Sequence, residues 1–285
     1  MKKLIFFLLF TISLSAQIKG KIVDEKNNPI AYVNIWVENE NIGTTSEENG
    51  DFTINTTKNK KLVFSAMGFQ KIIISGSDAQ LVILKTSEFV LNEVVIQKKF
   101  ETKQLEIGWY DSAVAQAFDN GPRIDVKFFP YETKYKRTKF IKKVTINLDN
   151  KIENGTIKIH FYKVTEKGFP GEEMLKKDFL VTLKTGAGKR IINVLDLNLK
   201  MPLNGLFVGF EKLLIEKNKI ETTIFNANNN TSKLNRTYYP LLLYNYIEGD
   251  YQYTFSGGNW NREPKEASKN KIMVFEPAIY LTLTN

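Results

Sequence analysis

Residues 20–37, GKIVDEKNNPIAYVNIWV, decide how the first part of this chain folds. Two apolar-alternating runs flank the polar turn DEKNNP. In the second run Val33, Ile35 and Val37 fall on one side, and Tyr32, Asn34 and Trp36 on the other. A period of two marks a strand with one buried and one wetter face. Working outward, TTSEENGDFTI predicts a hairpin in which Asn49-Gly50 supplies a positive-φ pair for a two-residue turn. Residues 62–66, 70–75 and 81–84 complete about seven strands. So many strands at this regular turn spacing predict a small β-sandwich.

These residues also carry a resemblance. The opening GKIVD, the second strand PIAYVNI, GTTSEENGDF, SAMGF and LNEVVI succeed one another in order over residues 17–97. The stretch resembles the carboxypeptidase-regulatory-like domain of Bacteroidetes envelope proteins, which implies a seven-stranded prealbumin-like sandwich. Leu91, Glu93, Val94 and Val95 are similar to the segment that precedes the plug in TonB-dependent receptors. The rest of the chain is too short for a 22-strand barrel at ~10 residues per strand. The resemblance does not extend to peptidase chemistry, because the chain has a single histidine where a zinc peptidase needs several ligands.

The chain opens with MKKLIFFLLFTISLSAQ: two lysines, an apolar run over residues 4–10, then small residues. That is the layout of a secretory signal peptide ending near residue 16. The apolar run is too short to span a bilayer comfortably, and no second one comes after it. The expectation is an exported protein without a transmembrane segment after cleavage, in the periplasm, on the outer membrane or at the cell surface. Cysteine is absent, which rules out disulfides and thiolate chemistry and suits a bacterial envelope. Net charge is +9. Much of it is lysine, as at Lys134, Lys136, Lys139, Lys142 and Lys143, with Arg137 among them. No aromatic-basic motif accompanies the charge, so it reads as protection of β faces and edges rather than a nucleic-acid footprint.

Beyond a linker at residues 98–105, residues 106–285 predict a second all-β unit. Strands are expected over 124–128, 140–148, 155–164, 179–183, 189–194, 205–215 and 272–283, with one helical turn at 112–118. TEKGFPGEEM reads as a connection turning at Pro170-Gly171, and NANNNTSKLNR as a mobile loop. HFYKVTEKGFPGEEML and PLNGLFVGFE resemble the jelly-roll-like β-sandwich that trails this regulatory domain.

No motif for catalysis, a metal or a cofactor emerges. His160 alternates with Ile157, Ile159 and Phe161, so it points away from the core with Lys158 and Tyr162, toward solvent or an interface. The carboxylates Glu47, Glu48, Glu172, Glu173, Asp111, Asp119 and Asp125 read as solvated turn and surface groups. TGAGKR departs from the phosphate-loop spacing and reads as a glycine-rich hairpin. Asp24, Asn49 and Asp51 lack calcium-loop spacing. The ligand candidates are therefore Trp260 with Asn259, Asn261 and Arg262, after the Gly257-Gly258 break, and Trp109. Trp260 either offers a flat face to a ligand or caps the open end of the second sandwich. The functional expectation is a non-catalytic binding or docking module for an envelope protein or glycan. Two alternatives stand beside it: a glycan hydrolase with a carboxylate pair in the second unit, and an accessory partner of a TonB-dependent uptake system.

Overall fold

The computed structural model describes residues 17–87, 99–109, 115–226, 230–265 and 271–285. The leader at 1–16 and the receptor-like segment at 91–96 lie outside the described residues, as does Asp111. Among the described residues the regular structure is strand and short 3-10 turns. None of their helices is long and apolar enough to cross a membrane.

The first sandwich has the seven strands expected: β1 (Gln17–Asp24), β2 (Asn34–Val37), β3 (Gly43–Thr45), β4 (Asp51–Asn55), β5 (Lys61–Ser65), β6 (Ile72–Ser75) and β7 (Leu81–Leu84). They form two sheets, β4-β1-β7 and β3-β2-β5-β6. Ile22, Val33, Ile35, Val37, Phe64 and Leu84 fill the space between them. This is the prealbumin-like arrangement. The expected 49–50 hairpin is instead a crossover, since β3 and β4 belong to different sheets. Only Gly50 has positive φ there, at +81°, and its amide bonds back to the Glu47 carbonyl. A Cβ on Gly50 would lie 2.5 Å from the Ile22 carbonyl oxygen.

The second sandwich runs through β8 (Gln104–Ile107), β9 (Ala115–Ala117), β10 (Ile124–Phe129), β11 (Phe140–Asn150), β12 (Gly155–Val164), β13 (Pro170–Glu173), β14 (Phe179–Leu183), β15 (Gly186–Asn193), β16 (Leu206–Lys212), β17 (Lys219–Asn226), β18 (Thr231–Tyr238), β19 (Leu241–Gly249), β20 (Gln252–Ser256), β21 (Asn259–Glu263), β22 (Ile272–Pro277) and β23 (Ile279–Thr284). One sheet has the order β13-β12-β16-β10-β20-β21, with β14 also on β12. The other has β22-β19-β11-β23-β8, with β15 on β11 and β9 on β19. The chain passes from sheet to sheet at β10–β11–β12 and again at β14–β15–β16, so the two sheets close over one core. Ile146, Ile157, Ile159, Phe161, Val208 and Leu281 lie at its centre.

Several local expectations are corrected. Ala115–Ala117 is a strand, not part of a helical turn, because it finds a partner in residues 243–245; residues 110–114 lie outside the described part. The GFPG connection turns earlier, where Gly168 at φ +76° lets Thr165 and Phe169 pair, and Pro170 already begins a strand. Thr231 to Arg236 are not loop but half of the β17–β18 hairpin. The run 272–283 changes partner at Ala278, from β19 to β11.

The two sandwiches pack on each other. Tyr32 is buried with Leu213 and Ile215, and Trp36 meets Phe255 edge to face at 5.1 Å. Leu214 N–H donates to Thr45 Oγ1 at 3.1 Å, Glu216 N–H to Glu47 Oε1 at 2.9 Å and Asn39 N–H to the Gly257 carbonyl at 3.2 Å. The side of β2 expected to be wetter is therefore covered, as is the outer side of β12.

Candidate functional site

Alternation along β12 decides the site. Ile157, Ile159 and Phe161 enter the core. Lys158, His160 and Tyr162 therefore emerge on the opposite side, where Lys158 reaches Tyr32 of the first sandwich and Tyr162 packs with Ile124, Val126, Phe207 and Trp260. All three are buried, which corrects the surface reading of His160 while keeping its interface alternative. Glu211 comes to them from the adjacent β16, Glu173 from β13, and Asp178 from the residue before β14.

The result is a charged network. His160 Nδ1 donates to Glu173 Oε2 at 2.9 Å and Nε2 to Glu211 Oε2 at 2.7 Å. Glu173 Oε1 accepts the Phe161 N–H at 2.7 Å. Lys158 Nζ donates to the Tyr32 carbonyl at 2.6 Å and pairs with Asp178 Oδ2 at 3.1 Å. Burial alone would strip the proton from His160, but its hydrogen bonds to Glu173 and Glu211 outweigh burial and push its pKa up to about 9. Lys158 is raised for the same reason: burial is offset by Glu211 and Asp178. Burial likewise opposes the charge on Glu211, yet Lys158 and His160 hold its carboxyl below the usual range.

Beside this network lies a cleft of ≈ 200 Å³ between the sandwiches. Asn34 and Trp36 of β2 and residues 65–67 line it on one side. Lys158, His160, Tyr162, Glu173, Asp178, Phe255 and Trp260 line it on the other, with Ile124. Tyr162 and Phe255 each approach Trp260 edge to face at 5.2 Å.

The structure places Trp260, half-buried, in the wall of this cleft, with Asn261 and Arg262 beside it on a second groove and with Asn259 and Trp109 outside both linings. Gly257 and Gly258, at φ +59° and +85°, form the tight turn into β21. They are buried, not approachable, because residues 39–40 and Val63 of the first sandwich sit against them. Asn259 Nδ2 donates to Asn39 Oδ1 at 3.2 Å, and Asn261 Nδ2 to Ser256 Oγ at 3.1 Å. The Arg262 guanidinium lies over the Tyr251 ring at 4.4 Å. Asn261 and Arg262 line a second groove, ≈ 590 Å³, which also has Trp260 in its wall. Trp109 is elsewhere: it stacks flat on Tyr280 of the other sheet at 3.7 Å, with Lys189 Nζ 4.1 Å from its ring centroid.

The carboxylates read as solvated divide. Glu172 is exposed and paired with Lys163 at 2.7 Å. Glu173 serves the histidine, Asp125 is buried against Arg123 at 2.8 Å, and Asp119 is bonded to Lys212. Asp24 accepts the Lys26 and Asn28 amides, each at 2.8 Å, as a turn residue does. Lys134, Lys136, Arg137 and Lys139 are exposed, as expected. No cluster of potential metal ligands occurs among the described residues. Trp36, Lys158, Glu173, Asp178 and Glu211 were not foreseen. One signal was available: Lys158 and Glu211 are charges set within largely apolar strands.

Known proteins agree with the first half of this description. Residues 18–96 match the CarboxypepD_reg-like domain family, so the first sandwich is a domain of that kind. No curated protein matches the chain. Among solved structures, the cysteine protease and lectin-like domains of Cwp84, a surface layer associated protein of Clostridium difficile, are similar at 8% identity and a TM-score of 0.37. That match covers 90% of this chain and 58% of that one. The clostridial protease Cwp84 after propeptide cleavage gives 9% and 0.36, covering 94% and 70% of the two chains. Likenesses this loose say nothing about function.

Proposed function

We propose that the chain is an exported, non-catalytic binding module of a Bacteroidetes-type cell envelope. In this reading the regulatory-like sandwich is clamped onto the second sandwich, and the cleft between them takes part of an envelope glycan or protein. One observation carries the proposal: the groups that could do chemistry are engaged with one another. Both ring nitrogens of His160 are held by carboxylates, both oxygens of Glu173 accept hydrogen bonds, and Lys158 is held by Asp178 and Tyr32. General acid–base catalysis needs a group free to exchange a proton near the working pH. A histidine kept as imidazolium up to about pH 9 is not such a base. Export is supported by the leader-like first 16 residues and the lack of cysteine.

The glycan-hydrolase reading has one observation in its favour, since Glu173 and Asp178 both line the cleft. The two readings separate in one experiment. The full chain is incubated with panels of envelope glycans and peptides, and both retention and product release are monitored. The binding reading expects retention without product. Product release that disappears in Asp178→Asn and Glu173→Gln would replace it with the hydrolase.

A further inference from the structure

In the sheet β4-β1-β7 of the first sandwich, β4 is an outer strand with a partner on one side only. Which of its backbone groups face out follows from β1. Ile22 N–H donates to the Gly50 carbonyl just ahead of β4, and Lys21 N–H to the Gln80 carbonyl just ahead of β7. Successive residues of a strand send these groups to opposite sides, so Ile18, Gly20 and Ile22 bond toward β4. Their register partners Ile54 and Phe52 therefore spend their N–H and C=O groups on β1, and Asp51, Thr53 and Asn55 turn theirs outward. Asp51 shows the same sense, because its carbonyl accepts the Glu47 N–H at 2.7 Å from outside the ladder. Among the described residues nothing bonds to the outward groups of Thr53 and Asn55.

Thr53 and Asn55 line a groove of ≈ 240 Å³ that is also lined by Lys219, Arg236 and Tyr238 of the β17–β18 hairpin. Directly opposite residues of an antiparallel pair share a face. The register sets Lys219 against Tyr238, Glu221 against Arg236, Thr223 against Leu234 and Phe225 against Ser232, so Leu234 and Phe225 continue the hairpin face that lines the groove. They are 48% and 59% exposed. The hairpin is a sheet of two strands, and such a unit is marginal in water until a further strand or a packed face joins it. An open strand edge thus lies beside an apolar face that no described residue covers.

The chemistry of the edge selects its occupant. Unpaired N–H and C=O groups on every second residue, about 7 Å apart, match the backbone of an extended polypeptide. The charges lining the groove, Glu47, Asp51 and Glu216 against Lys219 and Arg236, leave one net negative, too little to select a polyanion or a polycation. A second copy pairing edge to edge would crowd two hairpins into one seam. We propose that β4, five residues long, accepts a fourth strand of about that length from a partner protein, with apolar side chains at alternate positions laid against Leu234 and Phe225. The groove shares no lining residue with the cleft around His160, so the proposal goes beyond the reading of that cleft and does not depend on it.

The full chain is titrated into three fluorescein-labelled heptapeptides, in which threonine alternates with valine, leucine or phenylalanine between terminal lysines, and anisotropy is read. The same peptide with proline at each apolar position lacks those N–H groups and serves as the control. Saturable binding of at least one alternating peptide, and none of the proline peptide, is expected. Amide exchange at Thr53 and Asn55, fast in the free chain, should slow in the complex. Thr53→Pro removes an N–H that β1 does not use, a change an edge strand tolerates. It should weaken binding about tenfold or more while the melting temperature stays close to the parent. Leu234→Ser, at an exposed position outside both cores, should weaken binding about fivefold. Binding that neither variant changes, slowed exchange confined to another edge, equal binding of the proline peptide, or no binding of any peptide would overturn the proposal. Sedimentation as a dimer that Thr53→Pro returns to monomer would give the edge to a second copy and overturn it as well.

Discussion

At the scale of single residues, His160 is the most informative side chain. Its folded pKa of about 9 lies above the ~6.5 of a free imidazole. The imidazolium therefore stabilises the fold fully below pH ~6.5, and that contribution disappears as the pH climbs through about 9. We expect stability to fall by about 3 kcal/mol across this window, measured by urea unfolding at a series of pH values. His160→Gln should remove the slope. It should also cost about 3–5 kcal/mol at neutral pH, since Glu173 and Glu211 then lose their shared cation. A flat pH profile in the parent would show that the histidine is neutral in the fold. Gly50 makes a simpler case. Gly50→Val forces a branched side chain to φ +81° and drives its Cβ toward the Ile22 carbonyl. A loss of at least about 1–3 kcal/mol is expected, and an unchanged melting temperature would contradict the geometry.

At the scale of elements, β2 and β12 show what a strand pattern encodes. Alternation told correctly which residues of β12 face the core, because Ile157, Ile159 and Phe161 repeat at period two. It gave no hint that Lys158 and His160 are covered as well, because their partners Glu173, Glu211 and Tyr32 come from other elements, and periodicity reports a strand's two faces without reporting what covers the second. Tyr32 and Trp36 were misjudged for the same reason. The β17–β18 hairpin was missed because its sequence is polar and its strands, with Ile224 and Phe225 exposed at 54% and 59%, have no buried face to produce a pattern. Trp260 could be singled out by type, but its setting came from the Gly257-Gly258 turn docking on residues 39–40. Since Trp260 is only half-buried, Trp260→Ala should cost about 1–3 kcal/mol, below the ~3–5 of a fully buried aromatic. A larger loss, read from thermal melting, would make it a core residue instead of a cleft wall.

At the scale of the whole molecule, the two sandwiches have separate apolar cores but share a buried face that contains Tyr32, Trp36, Lys158 and the 257–258 turn. Such a shared face should couple their unfolding. Scanning calorimetry of the full chain is expected to give one transition, and Lys158→Met with Trp36→Ala to split it into two. The seven-strand pattern and motif order made the first sandwich legible in the sequence. The cleft was not legible, because it exists only where the sandwiches meet, and its residues are spread from Asn34 to Trp260. Whether that cleft binds without catalysing is decided by co-sedimentation of the full chain with purified envelope material, with the supernatant assayed for released sugars and peptides. The parent should sediment and release nothing, while Ala66→Phe, which puts a bulky ring at a residue lining the cleft, should stay in solution with a circular-dichroism spectrum and melting temperature that show it folded. Product in the supernatant, or equal sedimentation of the two proteins, would contradict a binding role for the cleft.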